Sequence, residues 1–334
     1  MGWKRKGADM RKSLKNVLKG CLVAAAAFLL LPGAKAQASV VQTGATTNSA
    51  TIRWDAPSST YSEVTQYQVY VGTDYQNTAL YRTFPANTTS CTITGLSAGV
   101  KKYVKIEYTY RSKGSTSTKT YTSSAGSTYD VKTLPGKVTG VKQDRWYYFA
   151  LSFYATWNKI EAADGYEYVV RTNTGKVFKK GETGYNWNQF SVNKISNEII
   201  YTVQVRAYTK INGVKCYGEW SDPGYFFTQP RITSIRVANK KMTIKWNKVA
   251  GATGYNIYVS TKPRSGYKKV KSVGKSKSSV TITKFKGKKI SAKKTYYVYV
   301  ATKKKVGKTT YTSGKLYYWN CKGTKFNSSN FGYF

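Results

Sequence analysis

The chain has 334 residues, of which 55 are Lys or Arg and 14 are Asp or Glu, and its formal net charge is +41. Because it contains no histidine, the catalytic triads and metal sites that depend on imidazole are excluded. Seven prolines and 30 tyrosines, in segments rich in Thr, Val and Tyr, indicate an all-β chain of more than one domain.

Residues 1–38 have the pattern of a secretory signal peptide. Basic residues precede an apolar run from Cys21 to Leu31, and small residues up to Ala38 supply the cleavage motif. Eleven apolar residues are too few to cross a bilayer, which takes about 20. We therefore expect an exported protein, secreted or at the cell surface, without a transmembrane anchor.

A strand–turn–strand unit occurs three times after this segment. In residues 242–260, apolar and polar residues alternate around Trp246, glycines interrupt the pattern, and the alternation resumes at Tyr255. The other two copies are marked by Trp157 with Tyr166 and by Trp54 with Tyr67. The Trp and Tyr are nine residues apart in the last two copies and thirteen in the first.

Each unit resembles a fibronectin type III domain. A Tyr stands six residues after an apolar residue, Ile195 before Tyr201 and Ile290 before Tyr296, which is similar to the tyrosine corner of that family. The alternation of Tyr201, Val203, Val205 and Ala207 matches its inward-facing residues. The first unit departs from this pattern, because Lys102 follows Leu96 by six residues and Tyr103 is displaced by one; there we expect Val104, Ile106 and Tyr108 to face inward.

The spacing Trp-x-x-Val/Ile-x-x-Ala-x-Gly-Tyr is similar to bacterial members of the family. The resemblance implies a bacterial, secreted protein with three tandem antiparallel β-sandwich domains of the fibronectin type III or immunoglobulin-like kind. We place a signal peptide at 1–38, domains at 39–134, 135–229 and 230–319, and a polar tail at 320–334. Short linkers at 134–137 and 229–231 predict small polar interfaces between domains. This fold serves spacers, adhesins and accessory modules alike, so it does not select a function.

Three cysteines remain after the signal peptide, one in each unit, so we expect no disulfide inside a unit. Cys91 alternates with Ile93 and is predicted to be a buried strand residue. Cys216 lies in the second unit. Cys321 falls in the predicted polar tail and is the more reactive candidate, which would allow a dimer through Cys321.

The third unit is strongly basic. Residues 230–334 contain 26 Lys and Arg side chains and no Asp or Glu. Because like charges repel and surfaces normally mix both signs, this composition favours a polyanionic partner, although a role of the lysines in solubility stays open. Lys acts as a hydrated point charge, unlike the bidentate Arg, which favours diffuse attraction to a repeating polymer. The predicted anion-binding residues are Lys240, Lys241, Lys268, Lys269, Lys271, Lys284, Lys286, Lys288, Lys289, Lys293, Lys294, Lys303, Lys304 and Lys305.

Tyrosines form a second candidate site in the third unit. If Tyr296, Val298 and Val300 face inward, Tyr297 and Tyr299 face outward. Tyr258 is expected to point outward on the neighbouring strand. These three tyrosines could stack on sugar rings or bases. The alternative is cross-strand pairing that stiffens the sheet.

No pattern supports catalysis. The third unit has no carboxylate for acid–base chemistry, and Glu161 and Asp164 fall in a turn where solvated groups are more common than a glycoside-cleaving pair. We therefore expect no enzyme and no cofactor.

These observations predict a non-enzymatic surface-associated or wall-associated binding or adhesion protein. Its third domain would attach electrostatically to an anionic polymer: teichoic acid, acidic polysaccharide or extracellular DNA. The alternative is a set of carbohydrate-binding or spacer modules that serve a separate hydrolase. Salt distinguishes the two, because charge-driven binding weakens steeply with ionic strength.

Overall fold

The computed structural model describes residues 21–22, 40–57, 60, 62–112, 114–122, 129–147 and 151–334. Every regular element in these ranges is a β-strand, and the described residues contain no helix long and apolar enough to cross a membrane. The predicted signal peptide lies outside the described residues except for the backbone of β1 (Cys21–Leu22), which pairs antiparallel with the strand that ends at Ala45.

The first unit consists of two antiparallel sheets. One has the order β1-β2-β3-β6; the other has the order β5-β4-β7-β8, and β9 also pairs with β7. The strands are β2 (Val40–Ala45), β3 (Ser49–Trp54), β4 (Ser62–Gly72), β5 (Thr78–Pro85), β6 (Ser90–Thr94), β7 (Lys101–Ser112), β8 (Thr118–Thr122) and β9 (Tyr129–Lys132).

The second unit repeats this arrangement. Its sheets have the orders β10-β11-β14 and β13-β12-β15-β16, and β17 pairs with β15. The strands are β10 (Lys142–Tyr147), β11 (Ser152–Thr156), β12 (Gly165–Arg171), β13 (Val177–Gly184), β14 (Gln189–Val192), β15 (Ile200–Ile211), β16 (Val214–Tyr217) and β17 (Gly224–Phe227).

The third unit has sheets of order β18-β19-β22 and β21-β20-β25-β27-β28, with β26 on β25 and a separate β23–β24 hairpin. The strands are β18 (Ile232–Ala238), β19 (Lys241–Trp246), β20 (Gly254–Ser260), β21 (Lys268–Gly274), β22 (Ser279–Ile282), β23 (Lys284–Phe285), β24 (Lys288–Lys289), β25 (Thr295–Val306), β26 (Thr309–Thr312), β27 (Tyr317–Lys322) and β28 (Phe331–Tyr333). The predicted polar tail at 320–334 is therefore wrong. β27 runs past residue 319, and the chain then returns as β28 along its edge.

A Trp–Tyr contact recurs in all three units and confirms the β-sandwich prediction. Trp54 and Trp246 end β3 and β19, Trp157 directly follows β11, and each Tyr lies on the next strand along the chain, in the opposite sheet. The ring centroids are 5.5, 5.2 and 5.5 Å apart, and the rings meet edge to face. Each of Trp54, Trp157 and Trp246 is only 2% exposed. An edge-to-face pair adds stability beyond its buried area.

The tyrosine corners predicted in the last two units are confirmed. The Tyr201 hydroxyl accepts a hydrogen bond from the Ser196 N–H at 2.9 Å, and the Tyr296 hydroxyl accepts one from the Ser291 N–H at 3.1 Å. Val203, Val205 and Ala207 are buried. In the first unit, Val104 and Ile106 are also buried. The displaced Tyr103 has a different contact, since the Nζ of Lys101 lies 4.8 Å from its ring centroid.

The cysteines partly follow the predictions. Cys91 is a buried, free thiol, as predicted. The prediction of a reactive Cys321 is wrong: its side chain is fully buried in β27, and its thiol donates to the Ile235 and Gly323 carbonyls at 3.2 Å. Burial raises the pKa of the Cys321 thiol to about 11, and this position argues against a dimer through Cys321. Cys216 is disulfide-bonded.

The two junctions between units differ. Across the first, Lys132 pairs with Asp164 at 2.9 Å and the Asn212 side chain donates to the Gln42 carbonyl at 2.8 Å, and a small buried apolar cluster also spans this junction. Across the second, the buried apolar residues of both units form one continuous cluster. The backbones also bond there, since the Ala250 N–H donates to the Glu198 carbonyl. The prediction of a small polar interface is wrong for this junction.

Gln229 shows how closely the third unit depends on the linker before it. Its buried side chain donates from Nε2 to the Tyr317 carbonyl at 2.8 Å and accepts from the Tyr317 N–H at 2.9 Å. The Leu316 N–H lies 3.2 Å from the same Oε1 atom. A boundary between residues 229 and 230 would separate β27 from the side chain that satisfies its first backbone groups.

We expect Gln229→Ala to lower the free energy of unfolding by about 1–3 kcal/mol, because buried backbone groups of β27 lose their partner. Urea denaturation of the full chain measures this change. Gln76→Ala, at an exposed position, is the control and should alter stability by less than about 0.5 kcal/mol. Equal stability of the two variants would contradict the assigned role of Gln229.

Candidate functional site

The strand topology separates the lysines of the third unit into two ends of the sandwich. β19 and β20 are joined at the end that faces the second unit, where Ala250 bonds to Glu198. Because the strands are antiparallel, the turns β18–β19, β20–β21 and β22–β25 all lie at the opposite end. Nine of the fourteen predicted lysines lie in or next to these three connections.

We call this surface the basic end. It also contains four basic residues that the sequence analysis did not single out, in the β20–β21 connection, at the end of β27 and after it. All thirteen side chains are exposed. They are Lys240, Lys241, Lys262, Arg264, Lys268, Lys284, Lys286, Lys288, Lys289, Lys293, Lys294, Lys322 and Lys325.

The β23–β24 hairpin concentrates four of these lysines. Lys284 lies directly opposite Lys289 in the ladder, where like charges are destabilising. The turn consists of Lys286 and Gly287, both with positive φ, 50° and 75°, which suits a two-residue hairpin but is uncommon for a lysine. The hairpin therefore presents its charges at a local cost in stability.

Contacts between the connections show that the basic end is continuous. A Cβ on Gly266, in the β20–β21 connection, would lie 3.9 Å from the Nζ of Lys286. On the other side, the Val237 N–H donates to the Gly323 carbonyl at 2.8 Å, and a Cβ on Gly323 would lie 3.6 Å from the Ala292 carbonyl oxygen. The first strand of the unit, β18, thus meets the residues that follow β27, and these meet the β22–β25 connection that carries the hairpin.

The other five predicted lysines lie elsewhere. Lys269 and Lys271 lie on β21, an edge strand, where lysines commonly prevent edge-to-edge pairing. Lys303, Lys304 and Lys305 lie near the β25–β26 turn, at the end that faces the second unit. The Nζ of Lys303 donates to the Ser272 hydroxyl at 2.6 Å, and that of Lys304 donates to the Gly251 carbonyl at 3.0 Å. These three lysines do not join the basic end.

Carboxylates do not neutralise the basic end. Within the described part of the chain, the ion pairs between side chains lie in the first two units or across their junction. Since residues 230–334 contain no Asp or Glu, counter-charge at the basic end must come from solution or from a partner.

The three tyrosines predicted to stack on a ligand pack instead against other side chains of the third unit. Tyr258 and Tyr299 are direct cross-strand partners with parallel rings 4.5 Å apart, so the alternative of cross-strand pairing is confirmed. Tyr299 is only 3% exposed, because Tyr267 and Phe334 pack on it with centroids 5.2 and 5.3 Å away. Tyr297 is half-buried against Tyr318. The prediction that this set is open for stacking is wrong.

Comparison with known proteins agrees with this geometry. The family model of the fibronectin type III domain matches residues 36–125. The first unit is a fibronectin type III domain. The second and third units repeat its strand order and its Trp–Tyr contact. No curated protein sequence matches the chain.

Solved structures with similarity to the chain are also fibronectin type III arrays. The FN1–FN3 domains of chicken CNTN1 are 13% identical, with a TM-score of 0.32, and the match covers 88% of this chain and 92% of that one. A two-domain segment of chicken tenascin is 16% identical, with a TM-score of 0.31 and coverage of 57% and 97%. The central array of RIM-binding protein is 16% identical, with a TM-score of 0.23 and coverage of 83% and 96%.

A cavity at the junction of the first two units escaped the sequence analysis. Its volume is about 470 Å³, and its walls include Lys102 of the first domain and Glu161, Asp164 and Tyr185 of the second. Tyr185 and its neighbour Trp187 are 57% and 61% exposed. The segment Gly184-Tyr-Asn-Trp-Asn has no strand alternation, and its two aromatic residues in a turn were the only available signal.

Asp164 fixes one wall of this cavity. Burial opposes its ionisation, but the hydrogen bond from the Lys210 N–H and the contacts with Lys132 and Thr209 outweigh burial, so the pKa of Asp164 is lowered. Its carboxylate accepts from the Lys210 N–H at 2.6 Å and from the Thr209 hydroxyl at 3.0 Å. The aspartate that sequence analysis placed in a solvated turn is therefore a structural anion between two domains.

The closed tyrosine cluster predicts a loss of stability in alkali. Burial raises the pKa of Tyr267 and of Tyr299 above the ordinary value, which is about 10. Because the folded state then binds more protons than the unfolded state, the stabilisation is complete below about pH 10 and is lost as the pH rises above it.

We expect the urea midpoint of the full chain to fall above about pH 10, and to fall less steeply in the double variant Tyr267→Phe/Tyr299→Phe. Tyr75→Phe, at an exposed tyrosine, is the matched control and should keep the slope of the natural protein. An identical alkaline slope in the double variant would contradict the effect of burial.

Proposed function

We propose that this chain is an exported bacterial surface protein whose third fibronectin domain binds an anionic polymer through the basic end. Tandem fibronectin type III domains are typical of binding, adhesion or spacer modules, which is the general class to which the array belongs. The observation that carries the specific proposal is the collection of thirteen exposed basic side chains at one end of a domain without Asp or Glu. The pattern of residues 1–38 supports export.

The geometry of the hairpin supports a polymeric anion over a small one. Directly opposed side chains such as Lys284 and Lys289 have Cβ atoms about 4.5–5.5 Å apart, and further lysines continue from both strands into the adjacent connections. A phosphate or carboxylate group between such a pair would relieve their repulsion. A chain with regularly spaced anionic groups would do so at several pairs at once.

The type of side chain favours attraction by charge over recognition of shape. Twelve of the thirteen residues are Lys and Arg264 is the one Arg. Lysine ammonium groups act as mobile, hydrated charges, whereas phosphate groups held in a fixed orientation are usually bound by Arg. The partners that fit this surface are teichoic acid, acidic polysaccharide and extracellular DNA.

The basic end also lies away from the second domain, so it is open to a large partner. The near end of the third domain is occupied by contacts with the second, including those of Ala250 and Gln229. The closed aromatic cluster around Tyr299 gives no support to the alternative of carbohydrate stacking at that place.

The test compares two variants that lose equal charge. Replacement of Lys284, Lys286, Lys288 and Lys289 by Gln should weaken binding of the full chain to purified teichoic acid, dextran sulphate or DNA, and should flatten its dependence on salt, because fewer counterions are released. The matched control replaces four exposed lysines at the opposite end, Lys275, Lys277, Lys305 and Lys308, by Gln. We expect a smaller loss there.

Binding is measured by sedimentation or calorimetry between about 0.05 and 0.2 M NaCl, the range over which charge-driven affinity falls most clearly. Equal losses in the two variants would mean that only net charge matters and would contradict a site at the basic end. Absence of binding to all three polymers at low salt would remove the proposal and leave the array as a spacer.

A further inference from the structure

From the cavity between the first two domains, we infer that the chain has a second binding site, for a neutral polysaccharide strand, in which Tyr185 and Trp187 stack on sugar rings. The site is independent of the basic end, since it lies in other domains and depends on ring stacking. The cavity volume of about 470 Å³ falls within the range of about 300–1,000 Å³ that is usual for ligand sites.

The aromatic residues are held in place although they are exposed. The Trp187 N–H donates to the Gly184 carbonyl at 3.0 Å, and the Thr183 hydroxyl donates to the Trp187 carbonyl at 2.8 Å. The next residue, Asn188, donates from its side chain to the Trp157 carbonyl at 2.8 Å. A turn fixed at both ends presents its rings without a large ordering cost on binding.

The high exposure of the Tyr185 and Trp187 side chains needs an explanation. Trp and Tyr combine a large apolar face with a polar tip, and exposed examples are concentrated in interaction sites. No described aromatic ring packs on Tyr185 or Trp187, whereas Tyr267 and Phe334 cover Tyr299. Tyr185 lines the cavity and Trp187 extends the aromatic surface beyond it, which suits a strand of several rings better than a single small molecule.

The polar lining selects sugars over an apolar partner and over a polyanion. Glu161 offers a carboxylate that no described residue engages, and Lys102 offers an ammonium group on the facing domain. A sugar hydroxyl both donates and accepts hydrogen bonds, so it can bond to either group. Because the wall mixes Lys101, Lys102 and Lys132 with Glu161 and Asp164, it favours neither sign of charge, unlike the basic end.

Rigid walls complete the site. The Lys132–Asp164 pair joins the two domains at 2.9 Å. Ile160 packs against Gly99, whose φ is 65°. A side chain is excluded at Gly99, because a Cβ there would lie 2.8 Å from the Ile160 Cγ2. The cavity is therefore formed before a ligand arrives, as is usual for sites of this class.

The experiment uses the full chain and two probes, hexasaccharides of β-1,4-linked glucose and of β-1,4-linked N-acetylglucosamine, in titration calorimetry. We expect binding of at least one probe, with an affinity that changes less than about twofold between roughly 0.15 and 1 M NaCl, because no charge is paired. Tyr185→Ala and Trp187→Ala should each weaken it roughly tenfold, the usual scale of ring stacking. Tyr185→Phe and Trp187→Phe should retain binding.

Tyr333→Ala is the matched control, since Tyr333 is 47% exposed but lies in the third domain. Binding of neither hexasaccharide, or equal losses in Tyr333→Ala and Trp187→Ala, would overturn the inference. Binding that disappears at high salt would assign it to charge and would also overturn it. Self-association of the chain that depends on Trp187, without glycan binding, would show instead that the rings form a contact between two copies. None of these results bears on polyanion binding at the basic end.

Discussion

The Trp–Tyr contact is the constraint on which each domain depends. Its two residues come from consecutive strands that lie in opposite sheets, so one ring contact fixes both the spacing of the sheets and the loop between the strands. The Tyr166 and Tyr255 hydroxyls accept hydrogen bonds from the Ile160 and Val249 N–H groups of those loops, both at 2.8 Å. In the first domain, where the loop is longer, the Tyr67 hydroxyl has no hydrogen-bond partner among the described residues. The ring contact persists there, so it tolerates a longer loop that the hydroxyl does not hold.

Alternation along a strand predicts which face a residue occupies, and it does not predict what covers that face. Val298 and Val300 are buried as the pattern requires, and Tyr299 points to the other face, also as predicted. Its burial follows from Tyr267 and Phe334, which approach from a loop and from the end of the chain. Cys321 was misplaced for the same reason: the polar residues around it suggested a tail, whereas pairing with the neighbouring strands buries it. Such contacts come from residues distant in sequence, so local residue patterns do not predict them.

The composition predicts the net charge of the third domain, but the strand topology determines where its lysine side chains lie. The lysine groups around Lys286 and around Lys304 look alike in sequence, yet they lie at opposite ends of the sandwich because an odd number of strands separates the connections that carry them. The second group lies at the end that contacts the second domain, where the Ala250 N–H donates to the Glu198 carbonyl. The distinction matters because exposed charges separated by more than the screening length, about 8 Å at physiological salt, act almost independently. Two groups at opposite ends cannot therefore be treated as one patch.

The second domain connects the two proposed sites, and its junctions decide whether they can act together. The junction with the third domain is a continuous apolar cluster, and across the junction with the first domain Lys132 donates to both carboxylate oxygens of Asp164. Contacts of this kind limit the freedom of neighbouring domains. A wall polymer with both neutral rings and anionic groups could then occupy the cleft and the basic end at once, and the second attachment would gain from a high effective concentration whenever the polymer spans the distance. If both proposed sites bind, a spacer of fixed length between them would make joint binding selective for a polymer of matching span.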